Sequence, residues 1–106
     1  MAGVGTDIAD YLKEWHTTEV KAIKGRELCT LFNLTEKQLR NVVSELRQQG
    51  EAVCSSTYGY WYSRNSDDLE ITLSRLEGQV KNMNVAIEGL RKILWEVQYE
   101  NAQAEI

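Results

Sequence analysis

A chain of 106 residues holds one ordinary domain, or one small domain with an appendage, and leaves no room for a large enzyme's cleft and its supporting core. Its apolar fraction of 42% and charged fraction of 26% are those of a globular protein, so disorder is expected only at the ends, and the absence of proline lets helices run uninterrupted. The net charge of -4 is unevenly divided, because residues 1–65 carry eight basic and eight acidic side chains whereas residues 66–106 carry four and eight.

At the start, MAGVGTDIAD has neither the basic opening nor the apolar run of a signal peptide. Thr6 and Asp7 are favoured helix starters. Ile8, Tyr11, Leu12 and Trp15 then recur at helical spacing, which predicts a first helix that buries this stripe and stops near His16-Thr17-Thr18. Val20, Ala22 and Ile23 are too few for a helix and predict a single extended crossing before Gly25. In GRELCTLFNLTEKQLRNVVSELRQQG, Leu28, Leu31 and Phe32 share one face of a short helix that breaks at Asn33. Thr35 and Gln38 fit a capping box that starts the next helix. Leu39, Val42, Val43 and Leu46 form its core stripe, and Gly50 suits the left-handed residue that ends it.

Two short strands follow, EAVCSS and YWYS, around Thr57-Tyr58-Gly59, where glycine permits the positive φ of a tight hairpin. Alternation places Val53 and Ser55 opposite to Cys54, and Tyr60 and Tyr62 opposite to Trp61, with one face expected in the core. Three helices, a short extended piece before the second, and a two-stranded hairpin come in the order of a winged helix-turn-helix domain. Over roughly Thr6 to Arg64 the chain resembles that family, and GRELCTLFNLTEKQLRNVVSELRQQG with GYWYS is similar to small winged-helix proteins of bacteriophages and prophages. The fold class expected is mainly α with a small β-hairpin (α+β).

Asn65 or Ser66 begins a last helix, with Asp67, Asp68 and Glu70 placed against its positive end. Leu69, Leu73, Leu76, Val80, Met83, Ile87, Leu90, Leu94 and Val97 follow in alternating steps of four and three, an unbroken coiled-coil seam. A rod of roughly 40 Å cannot bury that stripe against a domain of some 60 residues, so a second copy of the chain is the expected partner. The alternative is a helix folded back on its own domain or broken near Gly78 or Gly89. The expected organisation is a winged-helix domain over residues 1–65, a dimerisation helix over 66–101 and a frayed tail over 102–106. The first of these is expected to stay folded when the chain is cut after Arg64.

Catalysis is not expected: His16 is the single histidine, and no nucleophile motif accompanies it. Cys29 and Cys54 lack a CxxC arrangement and read as reduced core thiols, so neither a metal site nor a cofactor is expected. No stretch has the length of a membrane span, and the expected location is the cytoplasm of a bacterial host cell, with no membrane partner. In a helix-turn-helix, the helix after the turn enters the major groove. The resemblance therefore implies that double-stranded DNA is contacted by Thr35, Lys37, Gln38, Arg40, Asn41 and Ser44, with Arg47 and Gln48 further along and Tyr58 reaching from the hairpin turn. Gln38 and Asn41 have the amide geometry for adenine, Arg40 pairs with guanine, and Lys37 and Ser44 reach phosphate or base edges. The turn itself has no lysine or arginine, so a dimer is needed for affinity, and the role implied is transcription or replication control. The alternative is a phage adaptor or inhibitor that binds a host protein such as a nuclease, to which an acidic tail beside a neutral domain is suited.

Overall fold

A computed structural model describes residues 3–104. It is mainly helical with one antiparallel hairpin, and by its contacts it divides into Met1–Leu73 and Ser74–Ile106. Helix α1 spans Val4–Trp15, beginning ahead of the Thr6-Asp7 start suggested by residue preference, with Gly3 extended before it and Asp7 in its first turn. Ile8, Ala9 and Leu12 are buried, but Trp15 is 60% exposed, contrary to its place in the stripe. The chain leaves the helix at His16, whose carbonyl accepts the Tyr62 N–H at 2.8 Å. This backbone contact holds the end of α1 to the hairpin without the indole.

The extended crossing expected from Val20, Ala22 and Ile23 is shortened to a single bridge at Ile23. Thr18 accepts from Lys21 N–H and caps a 3-10 turn over Glu19–Lys21, which leaves Val20 97% exposed. Only Ile23 is extended enough to pair, in a two-bond bridge with Tyr60 of 2.9 and 2.8 Å. Helix α2, Gly25–Phe32, ends at Asn33 in the left-handed conformation (φ 54°). Its core contacts come from Leu28, fully buried, and Phe32, edge-on to Tyr11 at 5.7 Å between ring centroids. Leu31 points about 60° away from Leu28 by helical geometry and is exposed, which corrects its expected core role. Helix α3, Glu36–Gln48, starts with the full capping box and buries Leu39, Val43 and Leu46, while Gly50 follows it at φ +90°.

Strands β1, Val53–Ser56, and β2, Gly59–Tyr62, pair Val53 with Tyr62 and Cys54 with Trp61. Both faces of the hairpin are used, not one. Val53 belongs to the core shared by α1, α2 and α3, with Tyr60 and Tyr62 packed on it. On the other face, Cys54 and Trp61 lie side by side and fully buried. Helix α4, Ser66–Ala104, reaches that face with its first turns: Thr72 is buried and its Oγ1 accepts the Ser55 N–H at 3.1 Å. Burial pushes the Cys54 thiol up, and Asp68 adds to this. Trp61 Nε1 finds no acceptor among the described residues, a cost outweighed by burial of the ring. Arg47 fixes the hairpin from α3, with Nε donating to the Val53 carbonyl (2.8 Å) and a guanidinium nitrogen to Ser55 Oγ (3.0 Å).

Beneath the end of α1, the Tyr62 hydroxyl donates to Glu51 at 2.7 Å and Lys13 pairs with the same carboxylate at 3.4 Å. The Tyr62 bond, helped by Lys13, holds the Glu51 carboxyl below its ordinary value of 4.5, with burial opposing. A depressed carboxyl stabilises the fold above its unfolded pKa, and that contribution is lost as pH falls through the folded value. Tyr62→Phe keeps the ring under Lys13 but removes the donor. In a carboxyl-carbon NMR titration the Glu51 midpoint should rise toward the ordinary value; an unmoved midpoint would show that the hydroxyl does not hold it.

Asn65 caps α4 by accepting from the Asp67 and Asp68 N–H groups, and the helix runs unbroken past Gly78 and Gly89 to Ala104. It therefore includes residues 102–104 of the tail expected to fray; residues 105–106 lie outside the described residues.

Candidate functional site

Opposite the buried Leu39, Val43 and Leu46, helix α3 exposes Lys37, Arg40, Asn41, Ser44 and Gln48, recurring at helical spacing in one stripe. Five of the residues named for DNA contact therefore share a face. Thr35 and Gln38 are committed to one another: Thr35 Oγ1 accepts from the Gln38 N–H at 3.1 Å, and Gln38 Oε1 accepts from the Thr35 N–H at 2.9 Å. With its carbonyl oxygen spent on the cap, Gln38 is poorly placed for two-bond recognition of a base. Ser44 Oγ accepts from Gln48 Nε2 at 3.1 Å and still has its own proton to donate. Arg47 serves the hairpin, as described above. Tyr58 sits 63% exposed in the turn between the strands.

Beside the exposed stripe lies an open cleft of about 390 Å³ lined by Lys24, Gly25, Arg26, Glu36, Leu39, Arg40 and Tyr60. Three cationic side chains face one carboxylate there, a balance that favours an anion. Lys24 also donates to the Thr57 carbonyl at 2.9 Å, so a cation from before α2 stands at the hairpin turn, which has none of its own. The bridge between Ile23 and Tyr60 is what brings KGR to this place. No local pattern marks Lys24 and Arg26 as site residues, because a tertiary contact joins them to the hairpin; the two cations flanking Gly25 are the one hint in the sequence.

Compared with known protein families, curated proteins and solved structures, the chain finds no match.

The second candidate surface is the seam of α4. Leu73, Val80, Met83, Ile87, Leu90, Leu94 and Val97 are all exposed, Val80 at 51% and Leu90 at 67%, whereas Leu69 and Leu76 are half-buried. Leu69 stands next to the turn that meets the hairpin, so the open seam begins at Leu73. Outside it, Trp95 and Tyr99 stack on each other at 5.9 Å, both exposed. Among the described residues no cluster of three His, Cys, Asp or Glu is placed to hold a metal ion, Cys29 and Cys54 are free thiols, and no helix is long and apolar enough to cross a membrane.

Proposed function

We propose that the protein binds double-stranded DNA as a homodimer, with α3 in the major groove, and acts as a transcription or replication regulator of a bacteriophage or its bacterial host. The observation that carries this reading is the single exposed stripe of Lys37, Arg40, Asn41 and Ser44, bordered by the cationic cleft of Lys24, Arg26 and Arg40. Short polar and cationic side chains in one helical row suit base edges, and the cleft beside them suits a backbone phosphate. The order of three helices and a hairpin, with a left-handed turn at Asn33 between α2 and α3, supports the winged helix-turn-helix reading. Support for a homodimer comes from the exposed seam of α4, since monomers rarely leave so long an apolar stripe in water. One copy alone supplies too little positive charge for tight binding, and pairing doubles the number of cations that reach DNA.

The test is DNA affinity measured by fluorescence anisotropy over a salt series, on fragments enriched from genomic DNA. Arg40→Ala should cost about 1–3 kcal/mol and relax preference at one base pair, whereas Lys37→Ala should weaken all sequences alike and lower the salt slope by about one. If neither substitution changes DNA retention, groove reading by α3 is wrong and a protein partner takes its place.

A further inference from the structure

We infer that two copies of α4 pair antiparallel, in the register that sets Leu73 opposite the partner's Val97. This rests on the homodimer reading of the seam and adds its direction, which decides how far apart the two copies hold their N-terminal units. The steps along the seam place Leu73, Val80, Ile87 and Leu94 at one core position of the heptad, and Leu76, Met83, Leu90 and Val97 at the other. Apolar layers form in either direction. The residues flanking the layers differ between the two, and they select one.

In a parallel pair, each residue on one flank faces the residue five positions later on the other flank of the second copy. Gln79 then meets the partner's Asn84, Ala86 meets the partner's Arg91, and Thr72 would meet the partner's Glu77. No opposite charges come together, and Glu77 and Arg91 are each left beside an uncharged neighbour. In the antiparallel pair like flanks meet. Glu77 then faces the partner's Arg91 and, by the two-fold symmetry, Arg91 faces the partner's Glu77. Asn84 meets its own copy on that flank near the centre, and Ala86 meets its own copy on the other, where small side chains allow close approach. Both Glu77 and Arg91 are exposed along α4, so neither has to leave a buried site to make the contact. At 1.5 Å per residue, this register puts the two Leu73 positions about 36 Å apart along the coil, whereas parallel helices would hold them about 10 Å apart.

The experiment uses the full chain. Sedimentation equilibrium gives the dimer constant of the unaltered protein, of Glu77→Arg, of Arg91→Glu and of the double exchange. Each single reversal turns two attractive contacts into repulsive ones and should weaken the dimer on the order of tenfold, and the double exchange should restore it. Independently, a nitroxide on Arg75→Cys, with Cys29 replaced by serine and the buried Cys54 left in place, should report a spin–spin distance of about 30 Å, since residue 75 lies opposite the partner's residue 95. A dimer with a distance under about 20 Å, or single reversals that leave association unchanged, would overturn the antiparallel pairing and leave the homodimer reading standing. A monomer mass for the unaltered chain at micromolar concentration would overturn both.

Discussion

Gly59→Ala should unfold the N-terminal unit at a much lower denaturant concentration than the unaltered chain. Gly59 opens β2 at φ +128°, and a Cβ built there would stand 2.2 Å from the Ile23 carbonyl oxygen and 2.6 Å from its carbonyl carbon. Both obstacles are backbone, so no rotamer change relieves them. Strain at a backbone angle rarely adopted by L residues costs of order 1–3 kcal/mol. Moving Ile23 away also breaks its two bonds with Tyr60, each worth about 1 kcal/mol. The total, about 3–5 kcal/mol, is a large share of the roughly 4–11 kcal/mol expected for a unit of this size. Gly50→Ala is the control: its φ is also positive, at +90°, but nothing lies within 4 Å of the added carbon. It should cost only about 1–2 kcal/mol. Urea unfolding followed by tryptophan fluorescence separates the two. Equal midpoints would mean that the hairpin does not press against Ile23.

Cutting the chain after Arg64 should leave a largely unfolded product, whereas residues 1–75 should fold. Hairpin residues Cys54 and Trp61 lie on the face met by the first turns of α4, and the compact unit runs to Leu73 rather than to residue 65. A tryptophan buries about 150–250 Å², so baring it forfeits up to about 4–6 kcal/mol at 25 cal/mol per Å². That is comparable with the whole stability of a 64-residue piece, about 3–10 kcal/mol. The cut also removes Thr72 from the Ser55 N–H and Asp68 from Ser63 Oγ, to which it is bonded at 2.6 Å. Circular dichroism and amide dispersion in NMR spectra should show a cooperative fold for 1–75 and not for 1–64. If 1–64 melts like 1–75, the second face of the hairpin needs no cover. The folded 1–75 piece lacks most of the seam, so under the proposed DNA-binding homodimer its DNA affinity at fixed salt should fall about 10² to 10⁴-fold below that of the full chain, through loss of a tethered second copy. Equal affinity would assign the tail to a protein partner.

Some of this architecture is written in local signals. The capping box of Thr35 and Gln38, the glycine after α3, the tight turn before Gly59 and the helical periodicity of α4 each depend on a few neighbouring residues, and all appear in the structure. The candidate site was legible to a similar degree. The Lys37, Arg40, Asn41 and Ser44 stripe follows from helical periodicity, but the use of Gln38 in the cap competes with the base-reading role its side chain suggests.

By itself, then, the sequence determined the order of the four α-helices and the hairpin, the buried face of α3 and the apolar seam, because periodicity and end-capping act over one or two turns of chain. Only the tertiary structure decided that Trp15, Val20 and Leu31 face water, that Arg47 holds the hairpin, that Lys24 and Arg26 join Arg40 in a cleft, and that α4 closes the second face of the hairpin. Those outcomes depend on pairings between residues far apart in the chain, such as Ile23 with Tyr60 and Ser55 with Thr72. An apolar or charged residue carries no mark of which distant backbone will meet it.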